Sequence, residues 1–79
     1  MPTNGTVIIT SEYFNAVYCN GRLQQDGKPE YLDPETLLRL YPSAVYYTMD
    51  QRLYDEILDG MGYPTDINDL PAHRLTLIH

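Results

Sequence analysis

The sequence has no tryptophan, one phenylalanine and one cysteine, and it sets only five lysines and arginines against eleven aspartates and glutamates. Each scarcity excludes something. A single Cys19 forms no internal disulfide and offers no CxxC pair for zinc, which is the usage of a cytoplasmic chain with a reduced thiol. Five cations in 79 residues leave little to hold phosphate, so DNA, RNA and an anionic membrane are poor direct partners. No apolar stretch approaches the roughly 20 residues that cross a bilayer, and Met1-Pro-Thr-Asn-Gly-Thr6 lacks the basic region and apolar run of a signal peptide. The length allows one domain, residues 1–79, with one modest core, and is too short for a multi-step enzyme with a cofactor domain. The expectation is a single-domain soluble protein of the cytoplasm with no cofactor.

Catalytic groups are scarce as well. His73 and His79 are the only histidines, and no paired base or nucleophile elbow accompanies Ser11, Ser43 or Cys19. Asp55, Asp59, Asp66 and Asp69 are oxygen donors, yet the twelve-residue calcium loop with its central Gly and final Glu is absent. Gly60-Met-Gly62 follows a helical pattern rather than opening one, so it reads as a helix stop and not as a phosphate cradle. The sequence gives no ground for an enzyme or a metal site.

What is present is a succession of short elements. The β-branched run Thr6–Thr10 predicts a strand. Phe14–Cys19 predicts a second, with Phe14, Ala16 and Tyr18 on one face and Asn15, Val17 and Cys19 on the other. Asn20-Gly21 is a type I′ turn signal, returning the chain into a third strand over Arg22–Gln25. Asp33-Pro34-Glu35 combines a capping carboxylate, a proline at the first helical position and an acid at the positive end of the dipole. The helix it starts presents Leu37, Leu38, Leu40 and Tyr41 before Pro42 stops it. Ala44–Thr48 predicts a fourth strand. A second helix starts near Met49 to Gln51, with Thr48 or Asp50 as its cap, and runs to Asp59, with Leu53, Tyr54, Ile57, Leu58 and Met61 toward the core. Tyr63–Pro71 reads as a loop, and Ala72–His79 as a last strand. The order β-β-β-α-β-α-β predicts a small two-layer α+β domain, a mainly antiparallel sheet with two helices covering one face. A terminal strand at the sheet edge would leave that edge open to a second copy or a partner strand.

Charge and tyrosine are the two concentrated features. Residues 50–69 hold six acids (Asp50, Asp55, Glu56, Asp59, Asp66, Asp69) and one base, Arg52, so they carry most of the net charge of −6. Asp55 and Asp59, one helical turn apart, stand about 6 Å from each other along the axis. Phosphates along a nucleic-acid strand have comparable spacing, so this row suits a basic groove. A solvated face kept for solubility accounts for the same row. The eight tyrosines are residues that anchor interfaces with a rigid ring and a hydrogen-bonding tip. With so few other aromatics, Tyr18, Tyr54 and one of Tyr46 and Tyr47 are expected in the core. The other member of that pair, on the opposite face, is left exposed or covers a partner, while Tyr13, Tyr41 and Tyr63 beside turns are candidate surface anchors.

The segment Tyr18-Cys-Asn-Gly-Arg-Leu23, followed by Leu32-Asp-Pro-Glu-Thr-Leu-Leu38, has the look of small phage domains in which a hairpin feeds a proline-started helix. In length, acidity and lack of enzyme motifs the chain resembles phage accessory proteins, and among them anti-CRISPR inhibitors. That resemblance implies binding to a Cas protein or surveillance complex, in some members of the group on the basic surface that receives DNA. The expected function is therefore a non-enzymatic inhibitor that docks Asp55, Glu56, Asp59, Asp66 and Asp69 on a basic protein surface, with Tyr54 or Tyr63 as anchor. The alternative is a self-assembling structural or regulatory protein acting through a homodimer.

Overall fold

The computed structural model describes residues 5–58 and 62–78, with the side chains of Gln51, Tyr54, Ile57 and Leu58 outside the description. Three strands come first: β1 (Thr6–Thr10), β2 (Asn15–Cys19) and β3 (Arg22–Gly27). Asn20 and Gly21 join β2 to β3 with φ of 52° and 82°, the two positive values that a type I′ turn requires. The helix α1 (Pro34–Leu40) starts at Asp33, whose Oδ2 accepts hydrogen bonds from Thr36 N and Oγ1, both at 3.2 Å. It closes when Tyr41 N donates to the Leu37 carbonyl, at 2.8 Å. Then come β4 (Val45–Thr48) and α2 (Gln51–Leu58), the latter capped by Asp50 through Leu53 N at 2.7 Å. Two 3-10 turns, Ile67–Asp69 and Ala72–Arg74, lead to the two-residue strand β5 (Thr76–Leu77). Among the described residues no helix is long and apolar enough to cross a membrane.

The two-layer, mainly antiparallel expectation is corrected on three counts. First, the sheet is mixed: its order is β3-β2-β1-β4-β5, and β1 and β4 at its centre run parallel, Ile8 opposite Tyr46 and Thr10 opposite Thr48. Second, both faces are covered. On one face Ile8 and Val17 pack with Leu37 of α1 and Ala44; on the other Val7, Ile9, Ala16 and Tyr18 pack with Leu53 of α2, Met49, Tyr63, Ile67, Leu70 and Leu75. Third, the predicted final strand Ala72–His79 is for its first three residues a 3-10 turn, and part of the predicted loop Tyr63–Pro71 is another. Along the chain the order is thus three strands, a helix, a strand, a helix, two 3-10 turns and a strand.

The reason lies in β1 and β2. Val7, Ile8 and Ile9 are each at most 1% exposed, and Ala16, Val17 and Tyr18 are fully buried. An uninterrupted apolar run, rather than an alternating one, is what a strand needs when it is covered on both sides. The same two-sided cover settles Tyr46 and Tyr47: both are half-buried, Tyr46 against the α1 cluster and Tyr47 against the α2 cluster. Neither is left bare, contrary to the reading of one covered face.

Candidate protein-docking face

The acidic stretch begins at the start of α2. Asp50, Asp55 and Glu56 are exposed there, but they are not equivalent. Asp50 accepts from Leu53 N and caps the helix. Glu56 accepts a hydrogen bond from Arg74 Nη1 at 2.6 Å and lies 3.6 Å from Arg52 Nε, one turn back. The Arg74 hydrogen bond, with the charges of Arg74 and then Arg52, holds the Glu56 carboxyl below the usual carboxylate range. Its charge is therefore largely answered within the molecule. Asp55 keeps an exposed carboxylate beside it.

A second acidic group forms at the other end of the same face. Asp66 is exposed and accepts from Asn68 N at 2.9 Å, capping the first 3-10 turn, and Asp69 is exposed at that turn's end. The chain around them is tied to the β2–β3 turn: Leu23 N donates to Thr65 O and Ile67 N to Gly21 O, both at 2.9 Å, while Arg22 and Asp66 form an isolated bridge. This brings Asp26 of β3 into the group. Asp26, Asp66 and Asp69, after burial and Tyr63, all push the Tyr18 hydroxyl above its ordinary value. Asp26 was missed in the sequence because it lies about forty residues upstream of its neighbours and no local pattern marks it; only strand pairing brings it there.

The tyrosine anchors divide differently from expectation. Tyr63 is 6% exposed, and its hydroxyl donates to Phe14 O at 2.8 Å. It is a strut between the chain after α2 and the β1–β2 turn, which corrects its reading as a surface anchor: the ring is too large to leave in water when the sheet has a face to cover. That turn is further closed by Ser11, whose N and Oγ both donate to the same Phe14 carbonyl. Tyr18 is fully buried, as expected, with its hydroxyl donating to Pro64 O at 2.6 Å. Tyr41 is half-buried against α1, whereas Tyr13 is 53% and Tyr31 83% exposed. Tyr31 was not singled out by the sequence. The Tyr54 side chain and all of Asp59 lie outside the described residues.

The remaining candidates have ordinary surroundings. His73 is exposed on the second 3-10 turn, and half-buried Cys19 has its Sγ 3.9 Å from Thr6 Oγ1. Among the described residues no three His, Cys, Asp or Glu side chains converge as metal ligands. No family model, curated protein or solved structure matches this chain.

Proposed function

We propose that the chain is a non-enzymatic, protein-binding inhibitor of the anti-CRISPR kind it resembles. Its acidic surface docks on the basic, nucleic-acid-binding surface of a Cas protein or surveillance complex and blocks access of DNA. The observation that carries this reading is the exposure of every described acid between residues 50 and 69, while Arg52, the one base in that stretch, points its charge at Glu56. Two of those acids, Asp50 and Asp66, are also fixed by backbone N–H groups, so part of the charge is held in place before a partner arrives, which lowers the entropic cost of docking. Asp26 joins Asp66 and Asp69 on the protein's side of the interface.

The test is displacement of labelled target DNA from a surveillance complex by this protein. Asp55→Lys with Asp69→Lys changes two exposed acids and avoids both capping carboxylates, and far-UV circular dichroism checks that the double variant is folded. Displacement is expected to weaken about tenfold or more in the double variant, and to weaken similarly as salt rises from about 50 to 300 mM. Displacement indifferent to both changes would rule out electrostatic docking.

A further inference from the structure

We propose that β5 is a dimerisation edge: two copies of this chain pair antiparallel through Thr76–Ile78 about a two-fold axis at Leu77, joining their sheets into one of ten strands. The inference is independent of the inhibitor reading, since it rests on the backbone and apolar side chains of the β5 edge and on none of the acidic residues.

The backbone is set for it. β5 is the outermost strand, and among the described residues no strand lies beyond it. Ile78 N donates to Tyr46 O at 2.8 Å, and Leu77 lies opposite Tyr47. Antiparallel ladders alternate, so with residue 78 bonded inward the N–H and C=O of Leu77 face outward. The other edge differs: β3 is partly covered by Thr65–Ile67.

Side chains give the same direction. Leu77 is 61% and Ile78 58% exposed, an apolar pair on an edge that natural sheets otherwise protect with charge. Ile78 also walls a groove of about 380 Å³, with Leu38 and Pro34 of α1 above it and Tyr46 beneath. The groove exists because Leu37 seats α1 over Ile8 and Val17 of β1 and β2, leaving the β4–β5 side of that face open.

Two arguments select a second copy as the occupant. The first is self-complementarity: pairing centred on Leu77 sets Leu77 against its own copy and Thr76 against Ile78, a β-branched pair suited to facing positions. The second is charge. Two chains of −6 repel across most of their surfaces, but Leu75–Ile78 carries no charge and the adjacent Arg74 is already bonded to Glu56. A two-fold axis normal to the sheet keeps both α1 helices on one side, so the two grooves meet across the seam and cover both Ile78 side chains.

Sedimentation equilibrium of the full chain tests this. A seam this short implies weak association, about micromolar to millimolar, and salt is expected to tighten it by screening the repulsion between copies. Leu77→Lys is expected to raise the dimer dissociation constant about tenfold or more. Leu77→Pro, which deletes an outward N–H and no bond to β4, is expected to do the same with far-UV circular dichroism unchanged. A strict monomer up to about 1 mM, growth beyond a dimer, or dimerisation unaltered in folded Leu77→Pro would each overturn the proposal.

Discussion

Two hydroxyl groups hold the chain after α2 against the sheet. Tyr18 reaches out from β2 to the Pro64 carbonyl, and Tyr63 reaches back to the Phe14 carbonyl. Each ring fills core volume while its polar tip satisfies a backbone acceptor that strand pairing leaves over. Tyr18→Phe keeps the ring but takes the donor from the Pro64 carbonyl and is expected to lose about 1–2 kcal/mol in urea unfolding, whereas Tyr63→Phe, whose Phe14 acceptor keeps Ser11 N and Oγ, is expected to lose about 0.5–1 kcal/mol. Tyr18 has a pH signature as well. Burial, followed by Tyr63 and the carboxylates of Asp26, Asp66 and Asp69, raises its pKa from the ordinary 10.0. A raised pKa means that the folded state keeps the proton the unfolded state releases, so this contribution is complete below pH 10 and is lost as pH climbs above it. Stability is expected to fall in alkali more steeply in the wild type than in Tyr18→Phe, as measured by unfolding from about pH 9 to 11. Equal slopes would show that Tyr18 ionises as readily folded as unfolded.

Among the elements, those with a local chemical reason were legible and those made by packing were not. Asn20-Gly21 has the backbone its residue types prefer, and Asp33 caps α1 with Pro34 at the first helical position. Both depend on neighbours within three residues. The alternation Arg74, Leu75, Thr76, Leu77 instead suggested a strand from residue 72, yet Leu75 closes the α2-side cluster and a 3-10 turn precedes it. Likewise Leu40, counted on the apolar side of α1, is 64% exposed, because a seven-residue helix presents only Leu37, Leu38 and the following Tyr41 to the sheet. The two-sided cover has its own test. Leu37→Ala strikes one face and Leu53→Ala the other, and because both side chains are at most 1% exposed, each is expected to cost about 2–4 kcal/mol. If thermal unfolding showed one of them to be nearly neutral, that face would not be a packed layer.

At the scale of the molecule, charge and sheet edge act in opposite directions. Acidic side chains populate α2, the first 3-10 turn and the end of β3, while the uncharged β5 edge lies across the sheet. Docking on a basic partner is attraction between unlike charges, so salt weakens it; pairing of two −6 chains is opposed by like charges, so salt strengthens it. The two proposals are therefore expected to show salt dependences of opposite sign in binding and sedimentation measurements, and a common sign would remove one of them. The Glu56–Arg74 pair fits the same account: with both side chains partly exposed to water it contributes little to stability, but it removes one negative and one positive charge from what a partner meets.

The sequence by itself determined the acidity, the Asn-Gly turn, the cap of α1, the faces of β2 and the burial of Tyr18, because these follow from composition or from residues within a few positions of each other. Its run Val7-Ile8-Ile9 also carried the sign of two-sided burial, which an uninterrupted apolar strand requires. Tertiary structure alone decided that β1 and β4 lie side by side and parallel, that the helices take opposite faces, that Asp26 joins Asp66 and Asp69, and that Tyr63 is a strut. Those outcomes come from pairing segments some forty residues apart, where burial of apolar area on a shared sheet selects the partner and no local propensity records the choice.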